Sequence, residues 1–191
     1  MADLHTKYLG LKLKNPIVAA SSGLTNSLED IKEFENNGAA AVVLKSIFEE
    51  EIRIQLERDQ EAMARDSFLY PETLGFYENF GSDDSLTSYL GMITEAKKSV
   101  SIPIIASINC VTSQKWPFYA QYLQDAGADA LELNVFLMPS DFGRTCDERE
   151  REYFQIIEEV KKYVSIPISL KLSFSSNNLG SFLQELSYSD I

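Results

Sequence analysis

The stretch Ala126-Gly-Ala-Asp-Ala-Leu-Glu-Leu-Asn134 decides the fold. Its glycine predicts the end of a helix, and the apolar residues that follow predict a short buried strand with polar residues at its far end. Three other stretches also run apolar and then present a polar residue: Asn37-Gly-Ala-Ala-Ala-Val-Val-Leu-Lys45, Ile102-Pro-Ile-Ile-Ala-Ser-Ile-Asn109 and Ile166-Pro-Ile-Ser-Leu-Lys-Leu172. Because parallel α/β proteins bind ligands at the carboxyl ends of their strands, we expect these polar residues to face one flat ligand. They are Lys45, Asn109, Asn134 and Lys171.

Two nearly identical helix-to-strand junctions predict the architecture. They are Lys98-Ser-Val-Ser-Ile-Pro-Ile104 and Lys162-Tyr-Val-Ser-Ile-Pro-Ile168, and Gly38-Ala-Ala-Ala41 matches Gly127-Ala-Asp-Ala130 in the same way. Repeated junctions are typical of successive βα units, since each unit must make the same turn from a helix into a strand and pack its helix on the sheet. The sequence therefore predicts an α/β fold of the TIM (β/α)8-barrel type in one domain spanning residues 1–191, with about the first five βα units present.

Five strands are too few to close a barrel, which needs eight strands and typically about 250 residues. A half-built barrel exposes unpaired strand edges. Three alternatives follow: the chain is a piece of a longer protein, two copies form a homodimer with a composite barrel, or the sheet stays open and doubly wound. We favour the first alternative over the second, and the second over the third.

The order of the predicted elements alternates strands and helices. A strand or hairpin is expected at Tyr8–Lys14, and buried strands at Asn15–Ala20, Ala40–Ser46, Ile102–Asn109, Ala130–Val135 and Pro167–Ser173. Helices are expected from the capping sequence Ser27-Leu-Glu-Asp30 to Gly38, and at Phe48–Arg65, Leu86–Val100, Ser113–Asp125, Asp147–Val164 and Asn178–Ser187. The aromatic segment Phe68–Asp84 is either a lid over a binding site or a plug packed over the barrel end.

Charge and composition exclude several kinds of partner and chemistry. The formal charge of −12 repels phosphates, so neither nucleic acid nor an anionic membrane is an expected partner. The chain contains no apolar run of bilayer length and no secretory signal, and its two cysteines lack metal-ligand spacing, so a reducing cytoplasm is expected. The only histidine is His5, which argues against a metal site and against a Ser-His hydrolase triad.

Five motifs in order along the chain resemble the FMN-dependent dihydroorotate dehydrogenases, and also the related flavin domain of dihydropyrimidine dehydrogenase. They are Asn15-Pro-Ile-Val-Ala-Ala-Ser-Ser-Gly23, Val42-Val-Leu-Lys-Ser46, Ile105-Ala-Ser-Ile-Asn109, Gly127-Ala-Asp-Ala-Leu-Glu-Leu-Asn134 and Ile168-Ser-Leu-Lys-Leu172. The resemblance implies a TIM-barrel flavoprotein that oxidises or reduces a carbon–carbon bond of a pyrimidine ring. It implies FMN as cofactor and a small pyrimidine as substrate.

The resemblance also implies roles for individual residues. Lys45 corresponds to a lysine that touches both flavin and substrate, and Lys171 to a lysine near flavin N1 that stabilises charge on the reduced ring. The alternative for Lys171 is a structural charge paired with Glu132. The other residues that correspond to cofactor contacts are Ala20, Ser21, Gly23, Ser46, Asn109 and Asn134. Those that correspond to substrate contacts are Lys45, Gly75, Asn79 and Asn134.

Two departures from the family pattern bear on activity. Where the family carries a proton-abstracting Cys or Ser, this chain has Leu137 or Met138, neither of which accepts a proton. Ser140 is the replacement base we name, with Cys146 as an alternative whose acidic neighbours disfavour a thiolate. In the substrate loop, Glu72 stands where the family has an asparagine and would repel the carboxylate of orotate.

A third departure concerns the cofactor. The family holds the FMN phosphate on glycine-rich loops of the last barrel strands, which this sequence does not contain. We therefore expect this chain alone to bind FMN weakly or not at all. Three functions follow: a dihydroorotate dehydrogenase-like oxidoreductase, a catalytically silent relative, or a barrel half that acts only in folding and assembly.

Overall fold

The computed structural model describes residues 2–54, 85–111, 113–137, 143–172, 179–189 and 191 of the chain. Its strands are β1 (Thr6–Tyr8), β2 (Leu11–Leu13), β3 (Val18–Ala19), β4 (Ala41–Val43), β5 (Ile47–Phe48), β6 (Ile104–Asn109), β7 (Ala130–Val135) and β8 (Ile168–Leu172). Its α-helices are α1 (Leu28–Asn36), α2 (Ser85–Ser99), α3 (Trp116–Asp125), α4 (Cys146–Lys161) and α5 (Leu179–Leu186). Short 3-10 turns occupy Gly23–Thr25 and Ser113–Lys115, and residues 49–54 are helical.

One parallel sheet organises the fold, in the order β3-β4-β6-β7-β8 with β5 also paired to β6. Strands that follow one another along the chain are neighbours in space, with a helix between most of them, which is how a (β/α) barrel begins. Since β4 and β5 lie along the same edge of β6, the sheet has five strand positions. The prediction of an α/β partial TIM barrel with five strands is confirmed.

The two faces of the sheet have different partners because side chains alternate along each strand. Ile104, Ala106 and Ile108 belong to the large apolar cluster that includes the buried residues of the helices. Ile105 faces the opposite way and packs with Ala130 and with Leu13 of the N-terminal hairpin in a second, smaller cluster. The antiparallel hairpin of β1 and β2, expected from the alternation at Tyr8–Lys14, therefore covers the amino-terminal end of the inner face.

The matched glycines end their helices by the same hydrogen bonds. Gly38 donates to the carbonyl of Glu35 and Ala39 to that of Phe34, at 3.0 and 2.9 Å. Gly127 donates to Gln124 and Ala128 to Leu123, at 2.9 and 3.2 Å. This is the Schellman motif, which requires a left-handed residue, and the φ angles of the two glycines are +98° and +102°. The predicted helix ends at Gly38 and Gly127 are confirmed.

The repeated Ser-Ile-Pro junctions are held by equivalent side chains. The N–H and hydroxyl of Ser101 donate to Glu35 Oε1 at 2.7 and 2.6 Å. The N–H and hydroxyl of Ser165 donate to Gln124 Oε1 at 2.6 and 3.2 Å. Glu35 and Gln124 occupy the same position before their Schellman glycines, so each helix fixes the loop that leads into a strand two places further along the chain.

Several predicted boundaries were wrong. The expected strand Ala40–Ser46 is interrupted: Val43 is paired with Ile105 and Ile47 with Ile108, so three residues face two and form a bulge. The first buried strand is only Val18–Ala19, because Asn15 turns its side chain back to accept from the N–H of Ile17. Of the helix expected at Phe48–Arg65, residues 49–54 are described as helical, and Phe68–Asp84 lies outside the described residues.

The helices of the described segments were also compared with the requirements of a bilayer. None of them combines the length and the apolar character that crossing a membrane would require.

Glu35 provides a pH-dependent test of the junction. Its hydrogen bond from the Ser101 hydroxyl is the main cause that holds the pKa of Glu35 below its ordinary value of 4.5. A lowered pKa means that the carboxylate stabilises the fold above about pH 4.5 and loses that contribution as the pH falls through the folded-state pKa. We expect Glu35→Ala to lower the free energy of unfolding at pH 7 by about 1–2 kcal/mol, measured by urea denaturation.

The control for this prediction is Glu35→Gln, which keeps the acceptor and reproduces the residue that serves the second junction. It should cost less than the alanine variant at pH 7, and its deficit relative to the parent should shrink as the pH falls through the lowered pKa of Glu35. An equal deficit at pH 7 and pH 3.5 would contradict the assigned role of the charge.

Candidate active site

Three polar residues stand side by side at the carboxyl end of the inner face. Asn134 is paired in register with Lys171, and the register of β6 with β7 brings Asn109 beside Asn134. The Asn109 side-chain amide donates to the carbonyl of Asn134 at 2.7 Å. Phe48 of β5 is paired with Asn109 and extends the same row. We call Asn109, Asn134 and Lys171 the upper row.

A chain of hydrogen bonds lies one step below the upper row and crosses the sheet. The Ser46 hydroxyl is 3.3 Å from that of Ser21 and 2.7 Å from that of Ser107. Ser107 donates to Glu132 Oε1 at 2.7 Å, and Lys171 Nζ donates to the same oxygen at 2.7 Å. Each of the five strand positions contributes one of these residues. We call Ser21, Ser46, Ser107, Glu132 and Lys171 the polar belt.

The direction of the protons in the polar belt follows from counting donors. Each serine hydroxyl has one proton, and Ser107 uses its proton on the Glu132 carboxylate. Ser46 must therefore donate to Ser107, and Ser21 to Ser46. The Asn134 amide also points at Ser46 Oγ, at 3.5 Å. All hydroxyl protons are thus ordered towards Glu132, which is the anionic end of the belt.

The bulge between β4 and β5 interrupts the backbone pairing with β6 next to Ser107. Tyr89 of α2 supplies the hydrogen-bond partners that Ser107 then lacks. The N–H of Ser46 donates to Ser21 Oγ at 3.1 Å instead of to β6. In its place the Tyr89 hydroxyl donates to the carbonyl of Ser107 at 3.2 Å and accepts from its N–H at 3.1 Å. Burial raises the pKa of Tyr89, a hydrogen bond from Ser107 partly offsets this, and the charge of Glu132 raises the pKa further.

Lys45 lies in the bulge and away from the upper row. Its ammonium is 3.8 Å from Glu51 Oε1, and it lines a cavity of about 210 Å³ beside α2. Asn109 and Asn134 line a different cavity, of about 580 Å³. Among the described residues no hydrogen bond connects the Lys45 ammonium with the polar belt. Lys45 therefore does not share the row of the other three residues, and its role stays a prediction.

The other predicted site residues divide into two groups. Ala20 and Gly23 are exposed on either side of Ser21, in a loop fixed by the capping box of Ser22 and Thr25. Ser46 is 5% exposed and belongs to the polar belt. Gly75, Asn79 and the replacement base Ser140 lie outside the described residues, as does Glu72.

The alternative for Lys171 as a charge paired with Glu132 agrees with the contact observed. The two side chains are 38% and 15% exposed, so the pair lies partly out of water and its lysine keeps some contact with solvent. The contact does not exclude a ligand role, because an ammonium has three donors and Glu132 uses one. Both interpretations of Lys171 therefore stand.

Sequence reasoning missed two members of this site. Ser107 has the same parity as Asn109 on β6, so the alternation of that strand could have identified it as inward-facing. Tyr89 carries no such signal, because its contact with Ser107 depends on a bulge in the strand next to β6. Cys110 also lines the larger cavity, but burial and then the charges of Glu49 and Glu50 raise the pKa of its thiol, which disfavours a nucleophilic thiolate.

Tyr89 gives a test of the bulge. Tyr89→Phe would leave the buried N–H and carbonyl of Ser107 without the partner that the bulge requires, so we expect a loss of about 1–3 kcal/mol in the free energy of unfolding. Urea denaturation followed by circular dichroism measures it. The control Tyr122→Phe removes a hydroxyl from a tyrosine that is 40% exposed, and should change stability by less than about 0.5 kcal/mol. Equal effects of the two substitutions would contradict the role of Tyr89.

Comparison with known proteins identifies the family. The sequence model described as dihydroorotate dehydrogenase matches residues 3–182. The catalytic subunits of dihydroorotate dehydrogenase B (NAD(+)) from Thermoplasma acidophilum and Thermoplasma volcanium are 29% and 30% identical, over 91% and 94% of this chain.

The same two relatives show how much of a family member is present. The chain covers 55% and 57% of their lengths, so it spans little more than half of the proteins it matches. A solved dihydrodipicolinate synthase from Oceanobacillus iheyensis superimposes with a TM-score of 0.52 at 12% identity, covering 90% of this chain and 48% of that one, and supports the fold alone. Because the family model matches residues 3–182, the chain belongs to the dihydroorotate dehydrogenase family.

Proposed function

We propose that this chain carries part of the active site of a dihydroorotate dehydrogenase-type flavin oxidoreductase acting on a carbon–carbon bond of a pyrimidine ring. The observation that carries the proposal is the upper row, where two amides and one ammonium lie in register on the inner face. Donors on a common row suit the flat, hydrogen-bonding edge of a heteroaromatic ring. Family membership supplies the reaction class.

The described residues fit the ring of FMN better than its phosphate. Lys171 would hold the ring edge that gains negative charge, and Asn109 and Asn134 would orient the ring by hydrogen bonds. When bound, FMN accepts a hydride from the substrate carbon. We assign no described residue to the phosphate, and weak binding stays a prediction. Glu132 keeps the Lys171 ammonium in place before any ligand arrives.

The polar belt adds a property that catalysis by this chain would use. Its hydroxyls are ordered by hydrogen bonds to one another and to Glu132, so the inner face needs little reorganisation when a ligand binds to the upper row. Removal of the substrate proton requires a separate base, for which Ser140 stays the candidate. Lys45, placed by the bulge beside α2, would reach substrate only by a change of side-chain conformation.

A second candidate is a silent family member that acts in folding or assembly. Leu137 favours it, because Leu137 or Met138 stands where the family has its base, and Leu137 packs against the main apolar cluster. The open edges of the described sheet at β3 and β8 favour assembly as well. If a second copy closes these edges, size-exclusion chromatography with light scattering gives the mass of a dimer. A monomer at all concentrations up to about 100 μM would contradict assembly with itself.

Flavin binding tests the leading proposal. FMN fluorescence titration of the purified chain should show weak but saturable quenching. Lys171→Met should weaken the binding by about tenfold, because a charge-assisted hydrogen bond to the ring is lost. The control Lys97→Met also removes a lysine paired with a carboxylate, Asp129, but on the outer side of the sheet, and should leave the affinity unchanged.

Three outcomes separate the candidates. Absence of quenching at millimolar FMN would contradict the flavin role of this chain. Quenching with equal affinities for the two lysine variants would contradict the upper row as the ring site. Bound flavin that is bleached by dihydroorotate under anaerobic conditions would indicate turnover, whereas flavin that binds and does not bleach would favour the silent relative.

A further inference from the structure

The cavity of about 580 Å³ that Asn109 and Asn134 line has two chemically different sides. One side carries the amides of Asn109 and Asn134 with the aromatic rings of Phe48 and Phe136. The other side carries Arg144, which precedes α4, and Arg149 of α4, and we call it the α4 side. With a volume of about 580 Å³, the cavity is large enough for a small ring compound.

The amide and aromatic side favours a planar heterocycle. Phe136 is 56% exposed, so the face of its ring is available to pack against a flat ligand. Amide side chains that line a cavity next to aromatic rings can donate and accept at the edge of a flat polar ring while its faces pack on carbon. This side alone does not distinguish a neutral ring from a charged one.

The α4 side favours a negative charge on the ligand. Arg144 immediately precedes the N-cap Thr145, and Arg149 lies one turn into the helix. Guanidinium groups bind carboxylates through two parallel hydrogen bonds. In a chain of formal charge −12, an anionic ligand needs such local cations to overcome the general repulsion.

Glu152 of α4 already shows the kind of group that this side binds. Its Oε2 accepts from Arg144 Nη1 at 2.5 Å, and Glu152 lines the same cavity. Arg144 is 51% exposed and Glu152 23% exposed, so the pair lies at the cavity wall and not in the core. A carboxylate on a ligand would compete with Glu152 for this guanidinium.

We propose that Arg144 and Arg149 anchor the carboxylate of a ring ligand in this cavity whose polar edge lies on Asn134, the amide expected to contact both flavin and substrate. The proposal rests on the proposed function, and deepens it by naming the acidic group of the substrate as the part that α4 binds. It also gives the chain a cationic anchor of its own, on the helix and not in the substrate loop where Glu72 replaces an asparagine. Glu152 acts as an internal competitor that occupies Arg144 until the ligand enters.

The test compares two probes that differ by one carboxylate. Isothermal titration with orotate and with uracil is performed on the parent chain and on Arg149→Ala, Arg144→Ala and Arg149→Lys. We expect each alanine variant to weaken orotate binding by about tenfold and to leave uracil binding within about twofold. The lysine variant should fall between, because it keeps the charge and loses the two-pronged geometry.

Two further variants separate an anchor from a general charge effect. Arg151→Ala removes the same charge from an exposed position of α4, and should leave orotate binding within about twofold. Glu152→Gln removes the competitor, so we expect it to tighten orotate binding by about threefold or more, a change that a purely structural role would not produce. Thermal melting by circular dichroism checks that each variant is folded.

Several results would overturn the anchor. They are equal losses in Arg149→Ala and Arg151→Ala, equal losses for orotate and uracil, no gain in Glu152→Gln, or a parent chain that binds neither probe. The flavin titration is independent of these measurements. A chain that binds FMN through Lys171 but shows no effect of the arginines would retain the proposed function and lose the anchor.

Discussion

The hydrogen bond from Ser107 to the Glu132 carboxylate is the contact on which the rest of the inner face depends. Ser107 is fully buried and the Glu132 side chain is 15% exposed, and a carboxylate largely removed from water must be compensated. The compensation comes from Ser107 on one side and Lys171 on the other, which fixes the hydroxyl directions back to Ser21. An apolar residue in place of Glu132 would leave Lys171 without its partner and the serines without a common orientation.

The same constraint explains the irregular edge of β6. Ser46 can reach Ser107 only because the bulge at residues 44–46 changes which side chains point inwards. That shift removes a backbone partner from Ser107, and Tyr89 restores both of its hydrogen bonds from the neighbouring helix. The bulge, the tyrosine and the polar belt are thus parts of one arrangement.

The fold was predictable from the sequence because its determinants are local. The glycines at 38 and 127, the repeated Ser-Ile-Pro phrase and the apolar runs each specify a turn or a strand within a few residues. Asn109, Asn134 and Lys171 were also placed correctly on one face, since strand parity alone decides their direction. Lys45 was expected in the same row, but it lies in a one-residue bulge, and nothing local in Ala40–Ser46 indicates an irregular ladder. Tyr89 was missed because its contact joins residues 18 positions apart across that bulge.

The equivalent bonds made by Glu35 and Gln124 have a consequence for how such a molecule is built. Each bond joins the end of one helix to the entrance of a strand beyond the next helix, so it sets the angle between adjoining βα pairs with a single oxygen atom. An eight-stranded ring contains four such pairs. Duplication of a gene segment that encodes one pair would also duplicate the hydrogen bond that positions this pair against its neighbour. The curvature of the sheet would then increase with each copy, and no contact across the whole ring would be needed to set it.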